Sequence, residues 1–466
     1  MKLFTLLLCI LLAACTSDML QNHSDGNERY IPRLKYPYES SELCRGCHPE
    51  QYQQHEVSMH AKAFTNPLFN SQFFSQIVPR ALRNPEYIPE ARKCIACHAP
   101  VVFMNYTGLV STPAQAASFE TGVTCDFCHT LAGYGKNGDF EQVDSRKKQG
   151  PFQANGSSSH HAEYSSFMSS DEFCGECHDD TNHIGKGMKS TYAEWKESNQ
   201  GMRGLACQEC HMNKVGFIRN GVAEFASGQA AYLNLGFREK KLEEHEKLYE
   251  HSFPGAHSKS QLEDALRLEF KIGTRIADAD GMFPFVLEVN NERAAHKMPT
   301  GSSDLRFMWL VITATTADGT RIPVSIFRKN TRKGVDFSIS GKSPGDTVII
   351  KNDAPKGSRL YRSVFANTAG NQSLFQAENC MIVFDNRLNA DEIRNEGYHL
   401  KLPDKYSGKV ILEAHLYYKG APSEFTRSMQ VPEMTSVKIA TQKKEITILN
   451  IRMKDLNNDT ADKMPR

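Results

Sequence analysis

The sequence predicts an α+β multidomain chain, with a loop- and helix-rich N-terminal part followed by an all-β immunoglobulin-like sandwich. Two observations carry that expectation. Five copies of Cys-x-x-Cys-His crowd into residues 41–212 of the 466-residue chain. Beyond residue 261 no further copy occurs, and apolar residues alternate with polar ones at period two. Roughly 34 residues per motif is too little chain to enclose a large apolar core of its own. Whatever the motifs hold must therefore serve as the core of that part.

The motifs are Cys44-Arg45-Gly46-Cys47-His48, Cys94-Ile95-Ala96-Cys97-His98, Cys125-Asp126-Phe127-Cys128-His129, Cys174-Gly175-Glu176-Cys177-His178 and Cys207-Gln208-Glu209-Cys210-His211. This is the attachment pattern of c-type haem. Two thiols add to the porphyrin vinyl groups, and the histidine that follows at once reaches beneath the ring to take one axial position on iron. A disulfide framework needs no histidine after each cysteine pair. Zinc ribbons are excluded as well, because five Cys-Cys-His units do not divide into tetrahedral sets of four. The expected cofactors are five covalently attached c-type haems, with His48, His98, His129, His178 and His211 as proximal ligands.

Of 13 cysteines, the motifs leave Cys9, Cys15 and Cys380. Cys9 lies in an apolar run that follows Met1-Lys2, the pattern of an export signal and too short to span a membrane as a mature helix. Leu12-Ala13-Ala14-Cys15 resembles a bacterial lipobox, which implies lipidation of Cys15 after cleavage. By the same resemblance, Thr16 and Ser17 carry no inner-membrane retention aspartate, which implies an outer-membrane lipoprotein on the periplasmic face or the cell surface. Export suits the cofactor, since c-type haem is attached outside the cytoplasm in bacteria. Cys380 is expected to be a buried thiol.

Residues 16–40 are rich in Asn, Ser, Asp and Pro and read as a tether. Residues 41–258 are expected to form the multihaem cytochrome domain, 259–450 the β-sandwich and 451–466 a polar tail. Lys-Glu pairs across 237–248 suggest an exposed connecting helix. Beyond it, Leu266, Leu268, Phe270 and Ile272 alternate, as do Val410, Leu412, Ala414 and Leu416. Residues 283–289 and 307–315 are further strand-like runs, and Asp318-Gly319 signals a hairpin turn. Lysine and arginine number 55 against 54 acids, a formal net charge of +1, so nothing calls for a nucleic-acid partner.

The second axial ligand decides what each iron does. A second histidine saturates it for electron transfer, whereas an open face lets iron bind a small molecule. Of 17 histidines, the 12 outside the motifs are enough to saturate every iron. The candidates are His60, one helical stretch after the first motif, and His161, of the adjacent pair His160-His161. His251 and His257 join them because they bracket the rigid turn Phe253-Pro254-Gly255, and so does His296 in His-Lys-Met-Pro-Thr-Gly. His23 lies in the tether, His245 in a charged helix and His415 on the polar face of its strand, His399 has no special context, and His183, in the loop after the fourth motif, is a reserve candidate.

At these residues the chain resembles the multihaem cytochrome superfamily that includes the tetrahaem carrier of ammonia oxidisers, hydroxylamine oxidoreductase and pentahaem nitrite reductase. Ser58-Met59-His60-Ala61 is similar to its S-x-H-A element, and Gly122-Val123-Thr124-Cys125 begins a G-V-x-C-x-x-C-H site. Cys207 to Met212 is similar to C-Q-x-C-H-M, His251 to His257 to H-x-F-x-G-x-H, and Ala295 to Gly301 to an element that opens an appended β domain in some members. Two departures matter. No motif here ends in lysine, as the catalytic site of pentahaem nitrite reductases does, and Ala295 stands where glycine is usual. The resemblance implies electron transfer through the haems, with redox proteins of the envelope or an extracellular electron acceptor as partners and the membrane reached only through the lipid. A reductase of nitrite, hydroxylamine or a sulfur oxyanion, acting at one five-coordinate haem, is the alternative.

Overall fold

The computed structural model describes residues 38–449, apart from 136–139, 145, 153–159, 183, 215–222, 233–243, 264, 279, 328–334, 344 and 405. The expected signal peptide, Cys15, His23, nearly all of the tether, His183 and the polar tail lie outside the described residues. Among those described, no helix is long and apolar enough to cross a membrane.

The N-terminal part is a string of short helices punctuated by proline. Pro49, Pro67, Pro100 and Pro113 each open a helix, where a missing N–H costs nothing and a fixed φ favours the first turn. Asn66 caps the helix Pro67–Gln72 by accepting from Leu68 N and Phe69 N, both at 3.1 Å. Four of the five motifs end up on helices: Ile88–His98, Cys125–Thr130, Glu172–His178 and Cys207–His211. On a helix, positions i, i+3 and i+4 share a face, so both sulfurs and the imidazole point the same way. The first motif straddles the end of Ser41–Cys44 and the start of Pro49–Val57. The apolar side chains here form small separate groups, one around Phe73, Ala91 and Val102 and another around Phe127, Leu131 and Phe140.

The C-terminal part is built from strands, here numbered in order: β1 Arg267–Lys271, β2 Met282–Asn290, β3 Phe307–Thr316, β4 Arg321–Ile322, β5 Val324–Ile326, β6 Arg359–Tyr361, β7 Ser363–Ala366, β8 Gln372–Ser373, β9 Met381–Asp385, β10 Ile393–Lys401, β11 Gly408–Lys419 and β12 Val437–Ile448. One antiparallel sheet runs β5-β10-β2-β1; the other runs β4-β3-β11-β12, with β6 sharing the outer edge of β3. The alternation expected from sequence is what aligns them. Leu287 sits opposite Phe270 and Val289 opposite Leu268, while Leu310 faces Leu416 and Ala314 faces Leu412 across the second sheet. The inner faces of both sheets feed one apolar core that contains Phe270, Phe283, Leu287, Leu400, Leu412 and Leu416. Burying each such side chain stabilises the fold by about 1.5–3 kcal/mol. The Asp318-Gly319 turn is present: Gly319 takes φ +87°, and Thr316 N donates to Thr320 O at 2.9 Å. A smaller sheet, β8-β7-β9, stands beside the first two.

One expectation fails. The end of the proposed connecting helix, Glu244–Leu248, is a strand paired antiparallel with Ala226–Gln229. Its burial alternates residue by residue up to Leu248, and this period-two pattern outweighs the exposed Lys-Glu pairs, each contributing only a few tenths of a kcal/mol.

The two parts meet through polar contacts as well as packing. Arg387 Nη1 donates to Glu194 Oε1 at 2.7 Å, and Thr300 Oγ1 donates to Glu194 Oε2 at 2.6 Å. Asn182 Nδ2 donates to Asn379 O at 2.6 Å, and Arg80 pairs with Glu378. Phe375 and Ala377 of the C-terminal part complete the apolar group around Phe73.

Candidate functional site

A cavity of about 1290 Å³ runs through the N-terminal part. All ten motif cysteines and all five motif histidines line it, and the β part closes it with Met298, Thr300, Arg306, Phe375 and Tyr418. Several orienting bonds are already in place. The Nδ1 atoms of His48, His98, His129 and His211 face the carbonyls of Ala230, Ala63, Gln149 and Pro254 at 2.8, 2.9, 2.6 and 2.8 Å. Only a protonated Nδ1 can bond a carbonyl, so in the neutral ring Nε2 keeps its lone pair for a metal. Burial disfavours charge on three of these rings, lowering His129 and His211 and holding His98 down at about 4, and it holds His178 at about 4 as well.

Three motif histidines have another histidine facing them. His48 and His160 have ring centroids 6.2 Å apart, His178 and His60 6.2 Å, and His129 and His251 6.3 Å. Two imidazoles on opposite sides of one metal, each at about 2 Å through Nε2, place their centroids roughly 6 Å apart. The residues present therefore fit a haem iron held between each pair. The ring planes meet at 28° in the first pair and 16° in the third, but at 71° in His178–His60.

Local structure aims each second histidine. Ser58 Oγ accepts from Ala61 N at 3.2 Å and closes the turn that presents His60, whose own carbonyl accepts from Val123 N at 2.9 Å. Gly122, at φ +81°, lies so close to Ala61 O that a Cβ there would collide with it. This close approach ties the S-x-H-A turn to the third motif. His55 is spoken for, since its Nε2 bonds Val123 O at 2.7 Å. His251 is fixed by its Nδ1 on Tyr249 O at 2.9 Å, and desolvation pushes both His60 and His251 down to about 3.

The sequence expectation needs correction at one of these positions. His161 is exposed in the strand His161–Tyr164, which pairs in parallel with Lys147–Gly150. The strand register turns His161 to solvent and leaves His160, one residue earlier, facing His48. The other two candidates reach the cavity without facing a motif histidine. His296 lines the wall, is held at about 4 by burial, and lies within the electrostatic field of His211. His257 lines the wall but remains exposed to solvent. Among the described residues, neither His98 nor His211 has a histidine ring opposite it at the roughly 6 Å seen in the three pairs. Phe69 stacks on His98 at 3.7 Å and 6°, which locks that ring's rotation. Cys380, expected to be buried, is half-buried, with Sγ on Ala366 O at 3.3 Å.

Sequence reasoning missed the role of the turn after His251. It treated Phe253-Pro254-Gly255 as a device that aims two histidines. Phe253, at φ +44°, packs against His60 at 4.4 Å and His251 at 5.8 Å, while Pro254 O orients His211. One turn thus supports three motifs. It also missed how the motifs touch. The Cys44 thiol lies beside that of Cys125, Cys97 beside Cys177, and Cys174 beside Cys207. The fourth motif therefore abuts both the second and the fifth, and the Cys128 thiol of the third also acts on Cys174 and Cys177. Sequence order is not spatial order, and the fourth motif is the junction.

The family model described as "Cytochrome c554 and c-prime" matches residues 43–130. No curated protein matches. Among solved structures, a penta-heme cytochrome c552 from Thermochromatium tepidum is 21% identical, with a TM-score of 0.57, 88% of this chain covered and 99% of that one. A type I cohesin from Pseudobacteroides cellulosolvens is 12% identical over 40% of this chain and 93% of its own, at a TM-score of 0.18 too low to carry an argument. The fold likeness to the first, the family match over the first three motifs and the histidine pairs together support a multihaem c-type cytochrome.

Proposed function

We propose that the chain is a pentahaem c-type cytochrome that passes electrons within the bacterial cell envelope. Five haems follow from the five motifs, and the lipid on Cys15 would hold the protein at the outer membrane. The β part, read as an immunoglobulin-like sandwich, walls the haem cavity and presents a surface to a redox partner. The observation that carries this reading is the set of three histidine pairs, because an iron held between two imidazoles exchanges electrons and has no face left for substrate. The contacts between motifs support it as well, since touching attachment sites place porphyrin edges side by side. Haem supplies the redox chemistry when bound; the chain's own residues fix ring tautomers, orientation and burial.

Electron paramagnetic resonance of the oxidised, purified protein, with haem counted by intact mass, tests the proposal. Three low-spin species are expected from the facing pairs, two from near-parallel rings and one from the near-perpendicular His178–His60 pair. Fewer than five haems, or high-spin iron at every site, would sink it.

A second reading rests on His98 and His211, which lack facing histidines among the described residues. An open iron at either would bind and reduce a small molecule such as nitrite, hydroxylamine or a sulfur oxyanion. High-spin signals matching one or two haems, together with oxidation of a reduced dye that depends on one of those compounds, would favour it.

A further inference from the structure

Cations that line the cavity are mostly neutralised by the chain itself. Lys93 and Lys189 pair with Asp180 at 2.8 and 3.2 Å, and Lys148 pairs with Asp126 at 2.5 Å and Glu39 at 3.0 Å. Arg306 is different. It enters the wall from the β part just before β3, and among the described residues no carboxylate lies within 4.0 Å of its guanidinium. Asp304 feels the fields of Arg306 and Lys189, yet it pairs with neither. Among the described residues the guanidinium makes one hydrogen bond, from Nη1 to Thr300 O at 2.7 Å. That contact exists because residue 301 is glycine, at φ +78°: a Cβ there would collide with the guanidinium. Thr300 is itself pinned by Glu194 and by Thr191 Oγ1 at 2.9 Å, so the guanidinium is mounted on a fixed loop.

A second group is also unsatisfied, on the residue that pairs across the sheet with Met308, two positions after Arg306. The Tyr418 hydroxyl, on β11, is buried in the cavity wall with no hydrogen-bond partner among the described residues, and Arg306 is the charge that acts on it. A buried phenol without a partner costs about 1–3 kcal/mol, and the half-buried guanidinium adds a charge that no carboxylate balances. Both costs vanish if an anion belongs there. His257 and His296 line the same cavity and feel the charge of the same guanidinium.

We propose that Arg306 and Tyr418 form an anion subsite in the haem cavity, built to take a planar, carboxylate-like group. The planar fork of arginine matches such a group through two parallel N–H bonds, and the phenol adds a third donor. Two sources have that chemistry: a haem propionate, or a diffusible planar oxyanion at an open iron. The subsite deepens the haem-cavity reading and rests on it. Arg306 is a positioning residue in the first case and a binding residue in the second.

The test uses the haem-loaded full chain, wild type against Arg306→Gln, Arg306→Lys and Tyr418→Phe. Haem content by intact mass comes first, since a wild type without haems would defeat the functional reading and not the subsite alone. A potentiometric titration and an optical titration with sodium nitrite then separate the sources. A bound propionate predicts that Arg306→Gln lowers the midpoint potential of one haem, because lost positive charge favours ferric iron, while the nitrite response is unaltered. A diffusible oxyanion predicts nitrite affinity weakened by roughly tenfold or more, whatever the shift in potential without nitrite. Arg306→Lys keeps the charge without the fork and should fall between. Potentials and nitrite affinity both unchanged in Arg306→Gln overturn the proposal. If that variant takes up no haem, no change in both Arg306→Lys and Tyr418→Phe overturns it.

Discussion

The two parts of this chain reach a folded state by opposite routes. The β part carries its own core: alternating side chains from two sheets meet in one continuous apolar cluster, with Phe270, Phe283, Leu287 and Leu412 fully buried. The N-terminal part divides its apolar residues among small groups and encloses a cavity of about 1290 Å³ lined by cysteine and histidine. The first needs only its sequence. The second is shaped around groups the chain does not encode, so its stability is linked to binding them. The seam between them is correspondingly mixed, with the buried Glu194–Arg387 ion pair beside apolar contacts such as Phe375 on the Phe73 group.

The largest test of this contrast removes the cofactor. Made with all ten motif cysteines changed to serine, the protein should keep a cooperative β transition while residues 41–258 become susceptible to limited proteolysis. A cooperative, protease-resistant N-terminal part in that variant would erase the distinction. The next effect lies at the seam. Glu194 and Arg387 have side chains only 5% and 7% exposed, so Glu194→Ala leaves a buried guanidinium with a single remaining carboxylate, Asp385. A loss of about 3–5 kcal/mol is expected by chemical denaturation of the haem-loaded protein; a loss below about 1 kcal/mol would mean the seam is solvated. The finest test compares neighbours. His160→Ala should convert one low-spin haem signal to high spin, and His161→Ala should change nothing in the spectrum. Equal effects of the two would mean that the parallel strand pairing misplaces the ligand.

Much of the fold was legible because its signals are short-range. Period-two alternation found β1, β2, β3 and β11, and Asp318-Gly319 found the turn after β3. The same logic overlooked Glu244–Leu248, where charged residues with helical spacing also alternate in burial. At the site, cysteine pairs and their following histidines were evident from spacing alone. His60 and His251 were found through the turns that carry them, and the structure sets both opposite motif histidines. His160 could not be separated from His161, because the choice depends on a parallel pairing with Lys147–Gly150. No nearby residue announces that register.

Residue order alone settled everything that depends on neighbours a few positions apart: which cysteines fall in pairs, which histidine follows each pair, which runs are strands. Those features repeat within one helical turn or one pleat, and local geometry suffices to specify them. Tertiary structure decided the rest. It chose which histidine faces which, left His98 and His211 without a facing histidine among the described residues, made the fourth motif the junction and brought Arg306 from the β part to the cavity wall. Each of those outcomes joins residues separated by tens to hundreds of positions. Packing and register alone bring them together, and neither is written in any short stretch of sequence.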